Sequence, residues 1–284
     1  MNSINCYLCN SISFTKRKGQ VRNAPDLIIL ECTNCGLDTL NSMEHIQTGF
    51  YEDSGMHGAE PTPMDAWLKD TDWDDQRRFE MVKAILPNKK LLDFGCGTGG
   101  FLNYARHLAA SVEGIELELR IQKYWHDQIT IHPSLESSGV EYDLITGFHV
   151  VEHLSDPIAM LKTLAAKLSK KGRMVVEVPS SEDALLTLYD STAFQQFTYW
   201  SQHLFLFNAE TLHRLAKQAG LRIVSIQQYQ RYPLSNHLHW LSQGKSGGHQ
   251  KWVFLDSPVL NAAYANAFGS VNRCDTLIAW LVKE

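Results

Sequence analysis

The run Leu91 to Leu102, LLDFGCGTGGFL, sets an acid, Asp93, two residues ahead of a close series of glycines: Gly95, Gly97, Gly99 and Gly100. Leu91 and Leu92 lead in, and Phe101 and Leu102 resume the apolar pattern, so the run reads as strand, tight turn and helix. Glycines at such a turn let the backbone approach a ligand closely, and the helix start offers unpaired N–H groups. The spacing Gly95-x-Gly97-x-x-Gly100 also spells a dinucleotide fingerprint, with Glu116 about 20 residues on, where that fingerprint wants its ribose acid. Asp93 argues for another ligand. A carboxylate there repels a diphosphate and suits a molecule that carries an ammonium group.

A second set of residues able to do chemistry is Cys6-x-x-Cys9 and Cys32-x-x-Cys35, two pairs separated by 22 residues. Two such pairs can place four thiolates tetrahedrally around zinc, and with all positions taken by cysteine no site is left for a catalytic water. Structural zinc is expected at Cys6, Cys9, Cys32 and Cys35. Between the pairs, Ser11 to Phe14 and Leu27 to Leu30 read as short strands about a polar turn, Lys16-Arg17-Lys18-Gly19, which describes a zinc ribbon or knuckle. With Arg22 this turn is basic; a solvated turn explains that, and so does a phosphate-bearing substrate. Cys96 and Cys274 read as small packing residues.

Composition sets the bounds. The chain has 284 residues, 44% of them hydrophobic and 20% charged, with a formal net charge of −5. That length suits one substantial domain with a small satellite, and the charge gives no general attraction to nucleic acid or anionic lipid. No apolar run approaches the ~20 residues of a membrane span, and MNSINCYLCN lacks a secretion-signal pattern. A soluble cytoplasmic protein is the expectation.

The elements that must hold these residues alternate. Asn41 to Asp74, with Gly49, Gly55, Gly58, Pro61 and Pro63, reads as a linker or flap. Its Phe50-Tyr51 pair reads as a staple to the main domain or as part of a lid. Asp75 to Leu86 has helical spacing and stops at Pro87; Leu91 to Phe94 is the first strand and Gly99 to Ala110 a helix. Val112 to Ile115 is the second strand, a short helix runs through Leu119 and Tyr124, and Ile129 to His132 is the third. Tyr142 to Phe148 follows as the fourth. Ser155-Asp156-Pro157 caps a helix with Ile158, Leu161, Leu164, Ala165 and Leu168 on one face. Arg173 to Val178 is the fifth strand, Asn208 to Ala219 a helix closed by Gly220, Leu221 to Tyr229 the sixth strand and Thr276 to Val282 the seventh. Repeated strand–helix units require a parallel sheet covered on both faces, and the last two strands lack a crossover, so an antiparallel terminal strand is consistent. The fold class expected is α/β, a Rossmann-like, seven-stranded, mostly parallel sheet preceded by the zinc ribbon. The division expected is 1–48 for the zinc ribbon, 49–73 for a linker or lid, and 74–284 for the α/β domain, with 233–272 inserted near the acceptor site.

With Gly99 added, Asp93-x-Gly95-x-Gly97-x-Gly99 resembles the first motif of class I S-adenosylmethionine-dependent methyltransferases. The resemblance implies that Asp93, Gly95, Cys96, Gly97 and Gly99 hold the cofactor. It implies too that Glu116, with Leu117, binds the ribose hydroxyls, that the loop around Ser134 and Leu135 borders the adenine, and that Phe148 and His149 line the methionine side. In the segment Phe148 to Leu154, Glu152 reads as capping or pairing and His153 as a satisfied loop histidine.

Four cysteines ahead of such a domain, together with Tyr199-Trp200-Ser201-Gln202-His203-Leu204-Phe205-Leu206-Phe207-Asn208, are similar to the zinc-containing sugar C-methyltransferases. Where those carry a Tyr-His-Glu-His run, this chain has Trp200, Ser201, Gln202 and His203, keeping only the last histidine. The resemblance implies methyl transfer to a small polar acceptor, a sugar or nucleotide-linked sugar, at oxygen or carbon. A hydroxyl asks less of a base than a carbon does, so His203 is the candidate base, with His149 and Tyr199 as pocket residues. Two other readings stand: an RNA methyltransferase with a zinc ribbon, disfavoured by the charge and by Gly147-Phe148-His149-Val150 where an Asn-Pro-Pro-Tyr-like segment would stand, and a non-catalytic binder of S-adenosylmethionine. Gly244-Lys245-Ser246 is no phosphate loop, because His239 stands where its first glycine is required. The histidines between His237 and His249 have no helical ligand spacing for a metal.

Overall fold

The computed structural model describes residues 4–47, 49–51 and 62–284. Near the N-terminus three short strands, β1 (Phe14–Lys16), β2 (Ile29–Cys32) and β3 (Asp38–Leu40), pair antiparallel in chain order. The first two begin two to three residues later than the spacing suggests, so Lys16 belongs to β1 and not to the turn. The centre of the expected linker, with Gly55, Gly58 and Pro61, lies outside the described residues. Its last part is not a linker. Helix α1 (Met64–Val82) already begins at Met64, behind Pro63, and Trp67 and Leu68 pack with Phe79 and Met81 against the buried cluster. These apolar residues continue the helical spacing upstream of Asp75, masked in sequence by the charges between them.

The main body follows as β4 (Lys90–Phe94), α2 (Gly100–Ala105), β5 (Ser111–Ile115), α3 (Leu119–Trp125), β6 (Thr130–His132), β7 (Tyr142–Phe148), α4 (Pro157–Lys167) and β8 (Leu168–Pro179). After it come the short helices α5 (Ala184–Thr187) and α6 (Thr192–Gln195), β9 (Phe205–Leu206), α7 (Ala209–Gln218) and β10 (Leu221–Tyr229). The chain closes with α8 (Leu234–Gln243), α9 (Gly248–Lys251), α10 (Pro258–Ser270) and β11 (Thr276–Lys283), so the segment 233–272 is a helical layer. Helix α2 is shorter than expected, because Ala109 bridges to Pro87 and the Ala110 N–H donates to the Lys89 carbonyl at 2.9 Å.

The large sheet has the order β10-β11-β8-β7-β4-β5-β6. Strands β4 to β8 run parallel, and β11 lies antiparallel between β8 and β10. Its central strands are largely apolar because both faces are covered, and successive residues serve opposite faces. Leu91, Leu144, Val175 and Ile278 point to the cluster under α1, α2 and α3, while Leu92, Ile145, Val176 and Ala279 point to the other. On that second face the apolar cluster runs without a break into Leu8, Val21, Leu37, Phe205 and Phe207. Strand β9 pairs with β3, Asp38 opposite Leu206 and Thr39 opposite Phe205, so the small sheet takes its fourth strand from the main body.

Candidate active site

The glycine turn sits at the C-terminal edge of β4. Gly95 has φ 69° and a Cβ there would lie 2.5 Å from Val150 Cγ2, so the turn and the loop after β7 touch. Gly97 has φ 50°, and a Cβ there would meet nothing within 4 Å: the turn opens to free space at this residue. That is the cradle a ligand needs at a strand-to-helix turn.

Asp93 is 3% exposed and accepts a 2.6 Å hydrogen bond from Thr146 Oγ1 on β7. Burial pushes its carboxyl up to about 7 against the pull of that bond and of Arg78. Glu116 follows β5; its Oε2 accepts from the Gly97 N–H at 2.9 Å and its Oε1 from the Glu118 N–H at 3.1 Å, so it braces the glycine turn. Burial raises this carboxyl as well. Phe148 packs edge-on to Phe101, centroids 5.2 Å apart, with the Arg78 guanidinium 4.8 Å over its ring. Cys96 does not face the opening: a Cβ on Gly114 would lie 2.7 Å from its Sγ, so the thiol packs on β5. Leu117 is exposed, and Ser134 precedes a single turn of 3-10 helix, Leu135–Ser137.

Beside the turn lies a buried ionic network. Glu177 on β8, fully buried, takes two hydrogen bonds from Arg77 at 2.8 and 3.0 Å and one from Arg78 at 3.1 Å. Its Oε1 is also 3.1 Å from His149 Nε2. Burial alone would raise the Glu177 carboxyl, but His149 and the two guanidiniums hold it well below the usual range. His149 stands between this acid and Glu152, whose Oε1 is 3.2 Å from Nδ1. Desolvation opposes its charge, yet the two carboxylates win and raise its pKa. Arg77 and Arg231 both bond to Asp74, extending the network to the end of β10. Arg77, Arg78 and Glu177 escape sequence reasoning because an Asp-Asp-x-Arg-Arg run looks like a solvated helix face. Their one local signal is an acid inside the otherwise apolar run Val175-Val176-Glu177-Val178, since an unpaired buried acid is not tolerated there.

The structure brings His149 and His203 together through Glu152 and His153. The His153 and His203 ring centroids are 4.9 Å apart, and His203 lies 5.9 Å from the Trp200 ring. Burial, followed by His153, pushes the His203 ring down to about 3, so it is uncharged at neutral pH and a feeble base. Tyr199 is placed elsewhere. Its ring packs on Gly19, and its residue lines a cavity of about 290 Å³ with Arg17, Lys18, Leu186, Thr187, Asp190 and Gln195. In that cavity Arg17 pairs with Asp38 and Lys18 with Asp190, so the basic turn carries its own counter-charges.

The Sγ atoms of Cys6, Cys9, Cys32 and Cys35 all lie within 4.8 Å of one another; Cys6–Cys35 and Cys9–Cys32 approach to 3.5 Å as free thiols. A tetrahedron of Zn–S bonds near ~2.3 Å spaces its sulfurs by roughly 3.8 Å, so the set fits zinc with no position left over. The histidines of the C-terminal helical layer are occupied otherwise: His237 Nδ1 is 2.8 Å from Tyr264 Oη, and His239 Nδ1 donates to the Lys245 carbonyl at 2.7 Å. Among the described residues no helix is long and apolar enough to cross a membrane.

The family model described as a methyltransferase domain matches residues 66–226. A tRNA U34 carboxymethyltransferase from Campylobacter jejuni is 28% identical over 138 residues, covering 43% of this chain and 47% of that protein. The chain thus spans about half the length of that relative. A ubiquinone biosynthesis O-methyltransferase from Acinetobacter baylyi is 22% identical over 203 residues, 60% of this chain and 84% of its own length. Among solved structures, a SAM-dependent methyltransferase from Archaeoglobus fulgidus superposes with a TM-score of 0.53 at 18% identity, covering 75% of this chain and 94% of that one, which shows the shared fold.

Proposed function

The chain belongs to the methyltransferase-domain family, and from that premise we propose that it transfers the methyl group of S-adenosylmethionine to a hydroxyl of a small polar acceptor, of the sugar or nucleotide-linked sugar class. When bound, the cofactor supplies a methyl group already activated on a sulfonium for in-line displacement. The open space at Gly97, flanked by Asp93 and Glu116, is the observation that makes the chain's residues fit it. Asp93 offers a carboxylate to an ammonium group, Glu116 two acceptor oxygens to ribose hydroxyls, and Phe148 an apolar wall.

The single observation that carries the acceptor side is the contact of Gly95 with Val150, which sets the cluster of His149, Glu152, His153 and His203 against the donor turn. Within it both ring nitrogens of His149 face carboxylates, Nδ1 at 3.2 Å from Glu152 and Nε2 at 3.1 Å from Glu177, which raise its pKa. His203 Nδ1 has no partner among the described residues, so His203 is the ring available to hold the acceptor side. Oxygen as the methylated atom is supported by the O-methyltransferase relative, matched over most of its length. The four thiols fit a structural zinc that ties β2 to the loops around it. Nucleic acid is a weaker acceptor reading: the tRNA-modifying relative shares only about half its length with this chain, and the net charge is −5. Incubation with labelled S-adenosylmethionine and three acceptor sets, nucleotide sugars, hydroxylated aromatics and tRNA, tests it. Label in the first set, lost in His203→Ala with S-adenosylhomocysteine affinity unchanged, is expected; label only in tRNA sinks the reading.

A further inference from the structure

Glu152, His153 and His203 bring a carboxylate oxygen and two ring nitrogens within 4.8 Å of one another, in a place separate from the cysteine cluster. Their lone pairs are not used up. Glu152 is 0% exposed, and while its Oε1 faces His149 Nδ1 at 3.2 Å, its Oε2 has no partner among the described residues. His203 Nδ1 is likewise buried and unpartnered among the described residues. His153 Nδ1 must donate to the carbonyl of Gln202, 2.9 Å away, because a carbonyl only accepts; its Nε2 is then a bare lone pair, 4.0 Å from Glu152 Oε1. A buried carboxylate oxygen and a buried imidazole nitrogen left without partners are unfavourable, and a cation held between them would satisfy both.

The supporting contacts have the form that metal sites use. A ligating histidine characteristically gives its other N–H to a backbone carbonyl, as His153 does to Gln202, and a ligating carboxylate is itself hydrogen-bonded, as Glu152 is by His149. Two imidazoles with one carboxylate select a borderline divalent ion and leave a coordination position open, unlike the closed four-thiol set.

We propose that Glu152, His153 and His203 form a second metal site, which binds a divalent cation of the zinc class and turns its open position towards the acceptor. The loop that carries Glu152 and His153 touches the donor turn through Val150 and Gly95, so the ion orients an acceptor oxygen beside the methyl donor. With the ion bound, the His203 lone pair is committed to it, and the ring positions the acceptor. That orienting role rests on the methyl-transfer reading; occupancy of the site does not.

The test counts metal. The purified full chain is equilibrated with zinc, dialysed against metal-free buffer and assayed by inductively coupled plasma mass spectrometry, beside His203→Ala, His203→Gln and Glu152→Gln. The expected result is about two zinc ions per chain in the parent and about one in each variant. Cobalt in place of zinc separates the two sites, because an ion held by imidazole and carboxylate gives ligand-field bands without thiolate charge transfer. S-adenosylhomocysteine binding by calorimetry reports that each variant is folded, and His203→Gln covers the case in which truncation to alanine unfolds the chain. A parent chain with one ion, or a second ion that persists in all three variants, overturns the proposal. Methyl transfer by a one-ion parent sinks the metal site alone; two ions with no methyl transfer sink the acceptor reading alone.

Discussion

The backbone N–H of Leu204 donates to the backbone carbonyl of Glu152 at 2.8 Å, fastening the loop after β7 to the segment that enters β9. The Leu204 carbonyl accepts in turn from the Leu40 N–H at 3.2 Å, and β9 then pairs with β3. A continuous hydrogen-bonded path therefore joins the cysteine-bearing sheet to the residues around His203.

Loss of the four-thiol metal should therefore reach the acceptor side. Cys9→Ser, which removes one thiol and leaves Glu152, His153 and His203 in place, is expected to lower methyl transfer at least ~10-fold, about 1.4 kcal/mol, while S-adenosylhomocysteine affinity changes little. Metal content, calorimetry and turnover measured on one preparation check this. Equal losses of cofactor affinity and turnover would show that the small sheet stabilises the whole chain without steering the acceptor side.

If Asp93 holds the cofactor as proposed, it should set a pH dependence for cofactor binding. Its carboxyl is pushed up to about 7 by burial, and an ammonium partner requires the ionised form. Affinity for S-adenosylhomocysteine is expected to weaken as pH falls below about 7, by up to about tenfold per unit. Asp93→Asn should bind more weakly at pH 8 and show no such slope. A parent slope that survives in Asp93→Asn assigns the effect to another group.

Gly97 and Gly95 separate ligand space from packing. In Gly97→Ala the new Cβ meets no protein atom, so the cost to folding is the strain of a positive φ, about 1–2 kcal/mol. Cofactor affinity should fall more than stability does. In Gly95→Ala the Cβ runs into Val150, 2.5 Å away, so the loop carrying Glu152 shifts and turnover falls further than affinity. Urea unfolding beside calorimetry of both variants distinguishes these outcomes; unchanged affinity in Gly97→Ala would remove the glycine turn from the cofactor site.

Asp183, buried at the N-cap of α5, gives a stability signature. Burial and then the charge of Asp275 push its carboxyl up to about 8, far above its value in the unfolded chain. The folded state binds the proton more tightly, so its contribution is fully present below the unfolded pKa near ~4 and is lost as pH rises through about 8. Asp183→Asn can still accept from the Leu185 N–H, a 2.7 Å bond in the parent, without that proton. Its stability advantage over the parent should grow by up to about 1.4 kcal/mol per pH unit across that window, read by urea denaturation at pH 5, 7 and 9. A constant difference would place the titration elsewhere.

Much of this was legible before folding. Central strands declare themselves by apolar runs such as Leu91-Leu92 and Ile145 with its neighbours, and the helix cap at Asp156 by residue type, because these signals act over a few residues. The glycine turn, its preceding acid and the paired cysteines are equally local. Helix α1 was half hidden because Trp67 and Leu68 stand among charges, and only the packing surface reveals that they share a face with Phe79.

By itself, then, the sequence determined the alternating strands and helices of the α/β core, the glycine turn at Asp93 to Gly99 and the four-thiol set, all of them matters of spacing along the chain. Tertiary structure decided which distant residues meet: Arg77 and Arg78 on Glu177, Glu152 and His153 on His203, and Tyr199 on the basic turn instead of the histidines. The physical reason is that a buried charge or lone pair is tolerated only with its partner in place. Partners fifty or a hundred residues apart are chosen by the sheet order and by the strand lent to the small sheet, neither of which leaves a mark in local sequence.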